Sequence, residues 1–182
     1  HTYRWGGQFN NLERARKKLW IIIPLTLAII FFILWRQFHS LLDAFTIFSA
    51  IPFASVGGIL ALWLRDIHLS LSAAVGFIAL IGIALLNGIV LITVFRQLRE
   101  HHPERSWDDI VKEGTVSRLR PVIMTALVAA LGFIPMALNT GLGAEVQRPL
   151  ATVVNGGIVF STILTLLLLP TFYLMLHRGR RG

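Results

Sequence analysis

The sequence contains no cysteine among its 182 residues. A disulfide framework, a thiolate metal site and a cysteine nucleophile are therefore excluded within it. Charge is also scarce, since Asp, Glu, Lys and Arg make up 14% of the residues, where soluble domains carry about 25%. With a hydrophobic fraction of 55%, this scarcity excludes a disordered, fibrous or ordinary water-soluble protein. The net charge of +8 is not spread over a polar surface, so it predicts no nucleic-acid partner.

Five long stretches contain none of the 17 Lys and Arg or 9 Asp and Glu residues. These charge-free runs are 19–35, 44–64, 69–95, 121–138 and 150–176. A helix that crosses the hydrocarbon core of a bilayer needs about 20 apolar residues, and a charge at its centre is costly. A soluble helical bundle is the alternative, but five such runs exceed what a soluble core encloses. The runs are too long for barrel strands and lack period-two alternation.

The sequence therefore predicts an all-α fold, a polytopic membrane helix bundle at 19–176 with five transmembrane helices. The expected helices are 19–37, 42–64, 69–97, 121–138 and 150–176. Residues 1–18 lead into the bundle and residues 177–182 form a tail. Five helices place the two ends on opposite sides, and the chain begins at His1, so we expect a piece of a longer polytopic protein.

Basic residues on alternate sides of these helices give an orientation. Seven Lys and Arg fall on the side of residues 1–18, and ten fall on the side of residues 96–120 and the tail. The positive-inside rule therefore favours a cytoplasmic C-terminus, although the basic cluster at 14–18 favours the reverse.

The long connection at 96–120 contains a second helical pattern. Ser106 is a good N-cap, and Asp108 and Asp109 suit the first turn of a helix. Apolar residues then recur at helical spacing, which predicts a short amphipathic helix at about 106–118 on the cytoplasmic surface. A solvated charged loop with a frayed helical turn is the alternative.

Small residues spaced four apart predict close helix packing. These pairs are Gly57/Ala61, Ala84/Gly88, Ala126/Ala130 and Gly157/Ser161.

Titratable groups are missing where a proton relay would need them, inside the membrane. The charge-free runs supply only neutral polar side chains. The neutral candidates are Asn87, Thr93, Thr125, Asn155, Ser161, Thr162 and Thr165. Each has an ordinary structural explanation, a hydrogen bond to its own helix or to a neighbour. The scattered His and Met residues predict no metal site in this chain, and no pattern indicates a cofactor, a catalytic residue or an enzyme.

Four segments resemble the resistance–nodulation–division (RND) superfamily of membrane exporters. Residues 75–90 (VGFIALIGIALLNGIV) resemble its tenth transmembrane helix, and residues 118–125 (RLRPVIMT) resemble the start of its eleventh. Residues 140–152 (TGLGAEVQRPLAT) are similar to the segment that joins helices eleven and twelve. Residues 7–15 (GQFNNLERA) are similar to the lead-in to helix eight. The resemblance covers essentially the whole chain and places it at helices eight to twelve.

Within that superfamily, the heavy-metal efflux branch fits best. The drug-efflux branch carries a Lys before the Asn of helix ten, and here Leu86 precedes Asn87. The resemblance implies a proton-driven heavy-metal cation exporter in the bacterial inner membrane, with residues 1–18 periplasmic. It also implies partners: the missing N-terminal half of the same transporter, a homotrimer, a periplasmic adaptor and an outer-membrane channel. A drug or organic-solute RND exporter and a non-transporting truncated membrane subunit are the alternatives.

The resemblance assigns few roles within this chain. The family's acidic proton-relay residues and its metal-binding cleft correspond to parts of the transporter outside these residues. Thr125 matches a position near the relay, and Asn87 neighbours the substituted Lys position, so both are proton-pathway candidates. Arg118 matches an arginine at the cytoplasmic mouth, and its alternative is a positive-inside anchor.

Overall fold

The computed structural model describes residues 6–178, and for residues 6–10 and 12 it describes the backbone alone. Every helix or strand assigned in that part of the chain is an α-helix, which confirms the all-α prediction. The six helices are α1 (Gly6–Phe38), α2 (Leu41–Phe48), α3 (Ala50–Leu64), α4 (Leu71–His101), α5 (Trp107–Leu138) and α6 (Ala144–Arg178). The predicted lead-in 1–18 and tail 177–182 lie partly outside the described residues.

Five segments of the described chain are long and apolar enough to cross a membrane, with α2 and α3 together forming one of them. These spans are Glu13–Phe38, Leu41–Leu64, Leu71–His101, Trp107–Leu138 and Ala144–Arg178. Most helices continue past their charge-free runs, because charged side chains near a helix end do not interrupt its hydrogen bonds. α4 continues through Arg99, and α6 begins six residues before the predicted residue 150.

Cα packing divides the chain into two compact units, one ending at Ala44 and the other beginning at Phe45. The first unit contains α1, where Trp20 and Ile21 are 72% and 70% exposed. α1 ends where His39 takes a left-handed conformation with φ 49°. Such apolar exposure suits a lipid or protein neighbour rather than water.

Ser49 separates α2 from α3 inside the single helix predicted at 42–64. Pro52 has no N–H, so the carbonyl of Phe48 cannot receive the usual i+4 hydrogen bond. The Ser49 hydroxyl donates to the carbonyl of Thr46 at 2.6 Å. The predicted helix is therefore two helices in one apolar span.

α6 packs against α3, α4 and α5 in the second unit. A Cβ added to Gly156 would clash with the Cβ of Ala61 in α3, and one added to Gly157 would clash with Leu80 in α4. Glycine is required at both positions because the helices approach so closely. Two of the predicted small-residue pairs, those of α3 and α6, thus contribute to the helix interfaces.

The other two predicted pairs differ from each other. Ala84 is buried, and a Cβ at Gly88 would lie 3.3 Å from Ile47. Ala126 and Ala130 are only half-buried.

α5 corrects the prediction for the long connection at 96–120. It is one helix that contains both the segment 106–118, apart from the capping Ser106, and the span 121–138. Pro121 removes one backbone N–H and does not end the helix. Ile110 and Val111 are 0% and 2% exposed, so the apolar face is buried in protein instead of lying on a bilayer surface. The separate surface helix is therefore not found.

Two serines cap the long helices of the second unit. The Ser106 hydroxyl oxygen accepts a hydrogen bond of 3.3 Å from the backbone N–H of Asp109, as predicted. The Ser70 hydroxyl oxygen accepts one of 3.2 Å from the backbone N–H of Ala73, which starts α4.

Candidate functional site

Asn87 lies in the middle of α4 and is half-buried. Its amide makes no hydrogen bond within residues 6–178. Leu86 beside it is 61% exposed, so this part of α4 is open on one side. An unpaired amide in an apolar span requires a polar neighbour, because leaving it in hydrocarbon is costly.

Thr125 lies on α5 and is exposed. Its Oγ1 donates to the carbonyl of Pro121 at 2.8 Å, the local bond expected for a threonine in an apolar helix. The hydroxyl proton is engaged in this bond, and the lone pairs of Oγ1 remain available to accept a hydrogen bond. Among the described residues, no hydrogen bond or ion pair joins Thr125, Asn87 and Arg118 to one another.

Arg118 lines an open groove of about 400 Å³ between α4 and α5. The groove is lined by Val94, Gln97, Leu98, His101, Ser117 and Arg118. The Arg118 guanidinium makes no hydrogen bond or ion pair in the part of the chain that the structure describes. It is therefore available to an anion or a water chain that enters this groove.

α6 places polar side chains in the interior of the second unit. Ser161 and Thr162 are 2% and 7% exposed, and Asn155 is half-buried. Asn155 Oδ1, Ser161 Oγ and Thr162 Oγ1 are buried and make no hydrogen bond within the described residues. Such oxygens are costly unless a water or another polar group reaches them. The neutral residues named from the sequence therefore include three unsatisfied interior groups.

Arg65 joins three helices, a role that the sequence analysis missed. It follows α3, and its guanidinium donates to Thr152 Oγ1 of α6 and to the carbonyl of Ala137 in α5, both at 2.8 Å. The last carbonyls of a helix lack partners of their own, so Arg65 satisfies one of them. The available signal was an arginine directly after a charge-free run.

A cluster of rings joins α5 and α6 at their other ends, and it was also missed. The Trp107 ring lies 5.7 Å from Tyr173 and 4.9 Å from His177, and Tyr173 stacks on His177 at 4.0 Å. The Arg99 guanidinium lies 4.7 Å from the Trp107 ring, and such a contact stabilises the folded state. Helical spacing in α6 indicated only that Tyr173 and His177 share a face.

Within residues 6–178, no group of three or more His, Cys, Asp or Glu residues lies close enough to hold a metal ion.

The sequence matches a profile of the AcrB/AcrD/AcrF family over residues 1–177. It is 55% identical over 96% of its length to the cobalt-zinc-cadmium resistance protein CzcA of Cupriavidus metallidurans. It is 53% identical over 91% to the nickel and cobalt resistance protein CnrA of the same organism. It is 38% identical over 97% to the cation efflux system protein CusA of Escherichia coli K12. The chain spans 16%, 15% and 18% of the lengths of these three relatives.

The fold is similar to the crystal structure of a heavy metal efflux pump. The TM-score is 0.85 at 47% sequence identity, over 94% of this chain and 17% of that one.

Proposed function

Because the chain belongs to the AcrB/AcrD/AcrF family, we propose that it is the C-terminal membrane portion of a proton-driven heavy-metal cation efflux transporter. The 55% identity to CzcA over 96% of the chain carries this proposal. The five apolar spans supply the membrane part that such a transporter needs.

The proposed cargo is a transition-metal cation. Three relatives that are 50–55% identical to this chain are named for resistance to cobalt, zinc, cadmium or nickel. The described residues contain no cluster of His, Cys, Asp and Glu for such an ion. The cation-binding cleft would therefore belong to the rest of the transporter, and this segment would support the coupling to protons.

Proton coupling needs titratable groups inside the membrane, and the charge-free runs have none of the acidic or basic ones. The acidic relay would therefore come from the other half of the transporter. Asn87 supports this arrangement, because its amide lacks a partner in the described chain and lies beside an exposed leucine. Thr125 would add an acceptor oxygen to the pathway, and Arg118 would lie at its cytoplasmic mouth.

The test is cation-dependent proton flux by the intact transporter in sealed proteoliposomes, followed with an internal pH dye. We expect zinc or cobalt gradients to drive proton movement, with no response to potassium. Flux driven by organic solutes instead would establish a drug-type exporter. A folded, correctly inserted protein that moves neither would be a non-transporting subunit, which would overturn the proposal.

The proposed location is the bacterial inner membrane, with residues 96–120 and the C-terminus in the cytoplasm. Cysteine substitutions test this, because these residues contain no cysteine of their own. Leu142 is fully exposed, and the Glu104 side chain is 70% exposed, so both positions suit labelling. In cells with a permeable outer membrane, an impermeant maleimide should label Leu142→Cys and spare Glu104→Cys. The reverse pattern would invert the proposed orientation.

The proposed assembly is a homotrimer that works with a periplasmic adaptor and an outer-membrane channel. Wide apolar exposure on α1 and α5 supports further protein and lipid contacts around this segment. Native mass spectrometry of the intact transporter should give a trimer, and a monomer at micromolar concentration would contradict it.

A further inference from the structure

A small cavity lies between the start of α3 and the second half of α6, at the point where Ser49 separates α2 from α3. Its lining is apolar apart from the side chains of Ser49 and Thr165. We propose that this cavity is a binding site for one resident water molecule, which forms hydrogen bonds with both of these side chains. The site is independent of the proposed transport, which uses neither residue.

The volume of the cavity fits one water molecule. A cavity needs about 10–15 Å³ of free space to hold a single water, and this cavity has about 10 Å³. It is therefore at the lower limit for one water and too small for an acyl chain or an organic solute.

Thr165 provides the first polar partner. Its side chain is buried, and its hydroxyl makes no hydrogen bond within the described residues. Thr171 on the same helix differs, because its Oγ1 donates to the carbonyl of Leu167 at 2.8 Å. A buried hydroxyl without a partner is costly, and a water molecule that bonds to it removes that cost.

Ser49 provides the second polar partner. Its hydroxyl donates to the carbonyl of Thr46 at 2.6 Å, so the lone pairs of its oxygen can accept a hydrogen bond from a water. The Thr165 hydroxyl can both donate and accept. One water molecule therefore has the two partners that a buried water requires.

The polar end of the cavity is enclosed within this chain. Ala50, Thr165 and Leu169 line it and are each 4% exposed. Ser49 and Thr165 also lie inside the charge-free runs 44–64 and 150–176, where hydrocarbon rather than bulk water surrounds the helices. Further protein against the half-buried lining residues would enclose the cavity more completely, so the site does not depend on an open face of this chain.

Two matched variants of the intact transporter test the site. Thr165→Val and Thr162→Val each remove one buried hydroxyl from α6 and keep its shape, but Thr162 Oγ1 has no partner and does not line the cavity. We expect thermal unfolding in detergent to show a lower midpoint for Thr165→Val, because the water loses a partner. The midpoint for Thr162→Val should be unchanged or higher, because an unsatisfied group is removed. A Thr165→Val midpoint that is no lower than that of Thr162→Val would indicate a dry cavity and overturn the proposal.

Radical labelling of the intact transporter detects the water directly and needs no variant to fold. Hydroxyl radicals that X-rays produce from a bound water oxidise adjacent side chains, and mass spectrometry locates the oxidation. Leu169 lines the cavity and is shielded from bulk water, so we expect it to be oxidised in the parent protein and to lose this labelling in Thr165→Val. Leu80 is the control, because it is fully buried and does not line the cavity, and it should stay unlabelled. An unlabelled Leu169 in the parent protein would overturn the proposal, whatever the result for proton flux.

Discussion

The hydroxyl of Thr125 already donates its proton to the carbonyl of Pro121 at 2.8 Å. Any part in proton movement must therefore use the oxygen as an acceptor, or break that local bond. Thr125→Val keeps the shape and removes the oxygen, so we predict export that is about three- to tenfold slower. Thr125→Ser should restore most of the rate. Unchanged export by Thr125→Val from mildly acidic to mildly alkaline pH, at normal expression, would remove Thr125 from the mechanism.

Arg65 donates charge-assisted hydrogen bonds to two helices at once. Hydrogen bonds to charged groups contribute about 1.5–3 kcal/mol each, so we predict that Arg65→Gln lowers the unfolding free energy by about 2–4 kcal/mol. The measurement is unfolding in mixed micelles. Arg36→Gln is the control, because the Arg36 side chain is exposed and makes no hydrogen bond within the described residues.

A double-mutant cycle with Thr152→Val separates the direct bond from general effects of charge. The coupling energy between Arg65 and Thr152 should be at least about 0.5 kcal/mol. Additive losses would show that the two side chains stabilise the protein independently.

At the scale of single residues, the sequence shows which side chains are candidates for a role better than it shows which residues they contact. Polar groups are rare in apolar runs and gave seven candidates, from which the family resemblance selected Asn87 and Thr125. The local bond of Thr125 was the ordinary expectation. The bonds of Arg65 could not be foreseen, because its partners lie 72 and 87 residues away along the chain. Distances of that kind depend on how the helices pack, which spacing in one helix does not encode.

Helix packing in the second unit depends on glycines, because the lack of a side chain lets two helix backbones approach closely. A Cβ at Gly156 would clash with Ala61, whereas a Cβ at Gly132 would meet nothing within 4 Å. We predict that Gly156→Val lowers the unfolding free energy by about 1–3 kcal/mol, and that Gly132→Val changes it by less than about 1 kcal/mol. Thermal unfolding in detergent measures both. Equal losses would mean that α3 and α6 do not need this close approach.

The helices themselves were predictable, but their interruptions were not. Absence of charge identified all five spans, because hydrocarbon excludes ionised groups along the whole length of a crossing. The same criterion missed the end of α2 at Phe48, since Pro52 changes backbone bonding without adding charge. The same criterion also predicted two helices where α5 is one, because the charged segment between 106 and 120 was assigned to a separate element.

At the scale of the whole molecule, wide apolar surfaces remain uncovered in this chain. Only 6% of the most apolar window of α1 and 11% of that of α5 are buried. The chain also spans only 15–18% of the lengths of CnrA, CzcA and CusA. Lipid or further protein must cover these faces for the helices to be stable in a cell.

We therefore predict that these 182 residues do not transport on their own. Reconstituted alone in sealed vesicles, they should give no cation-driven proton flux above that of empty vesicles. The intact transporter, inserted at the same density, should give a clear signal. Cation-driven flux by the isolated residues would contradict this and place a complete relay within them.

The resemblance to heavy-metal RND pumps is confirmed by the family match over residues 1–177 and by the crystal structure at TM-score 0.85. Four short motifs carried the resemblance, and they lie in α1, at the middle of α4, at the middle of α5, and across the loop into the start of α6. The roles proposed for Asn87, Thr125 and Arg118 stay predictions, because residues 6–178 contain no hydrogen bond or ion pair that joins them into a pathway.

The order in which the helices are synthesised gives the packing of α6 a consequence for biogenesis. α3, α4 and α5 each pack against α6, and α6 is the last of the four to leave the ribosome. The faces of α3, α4 and α5 that pack against α6 therefore stay uncovered until α6 is made, and the insertion machinery must shield them until then. A premature stop codon just before Ala144 would release a product with all its earlier spans and without the helix that joins them, a substrate for membrane proteases.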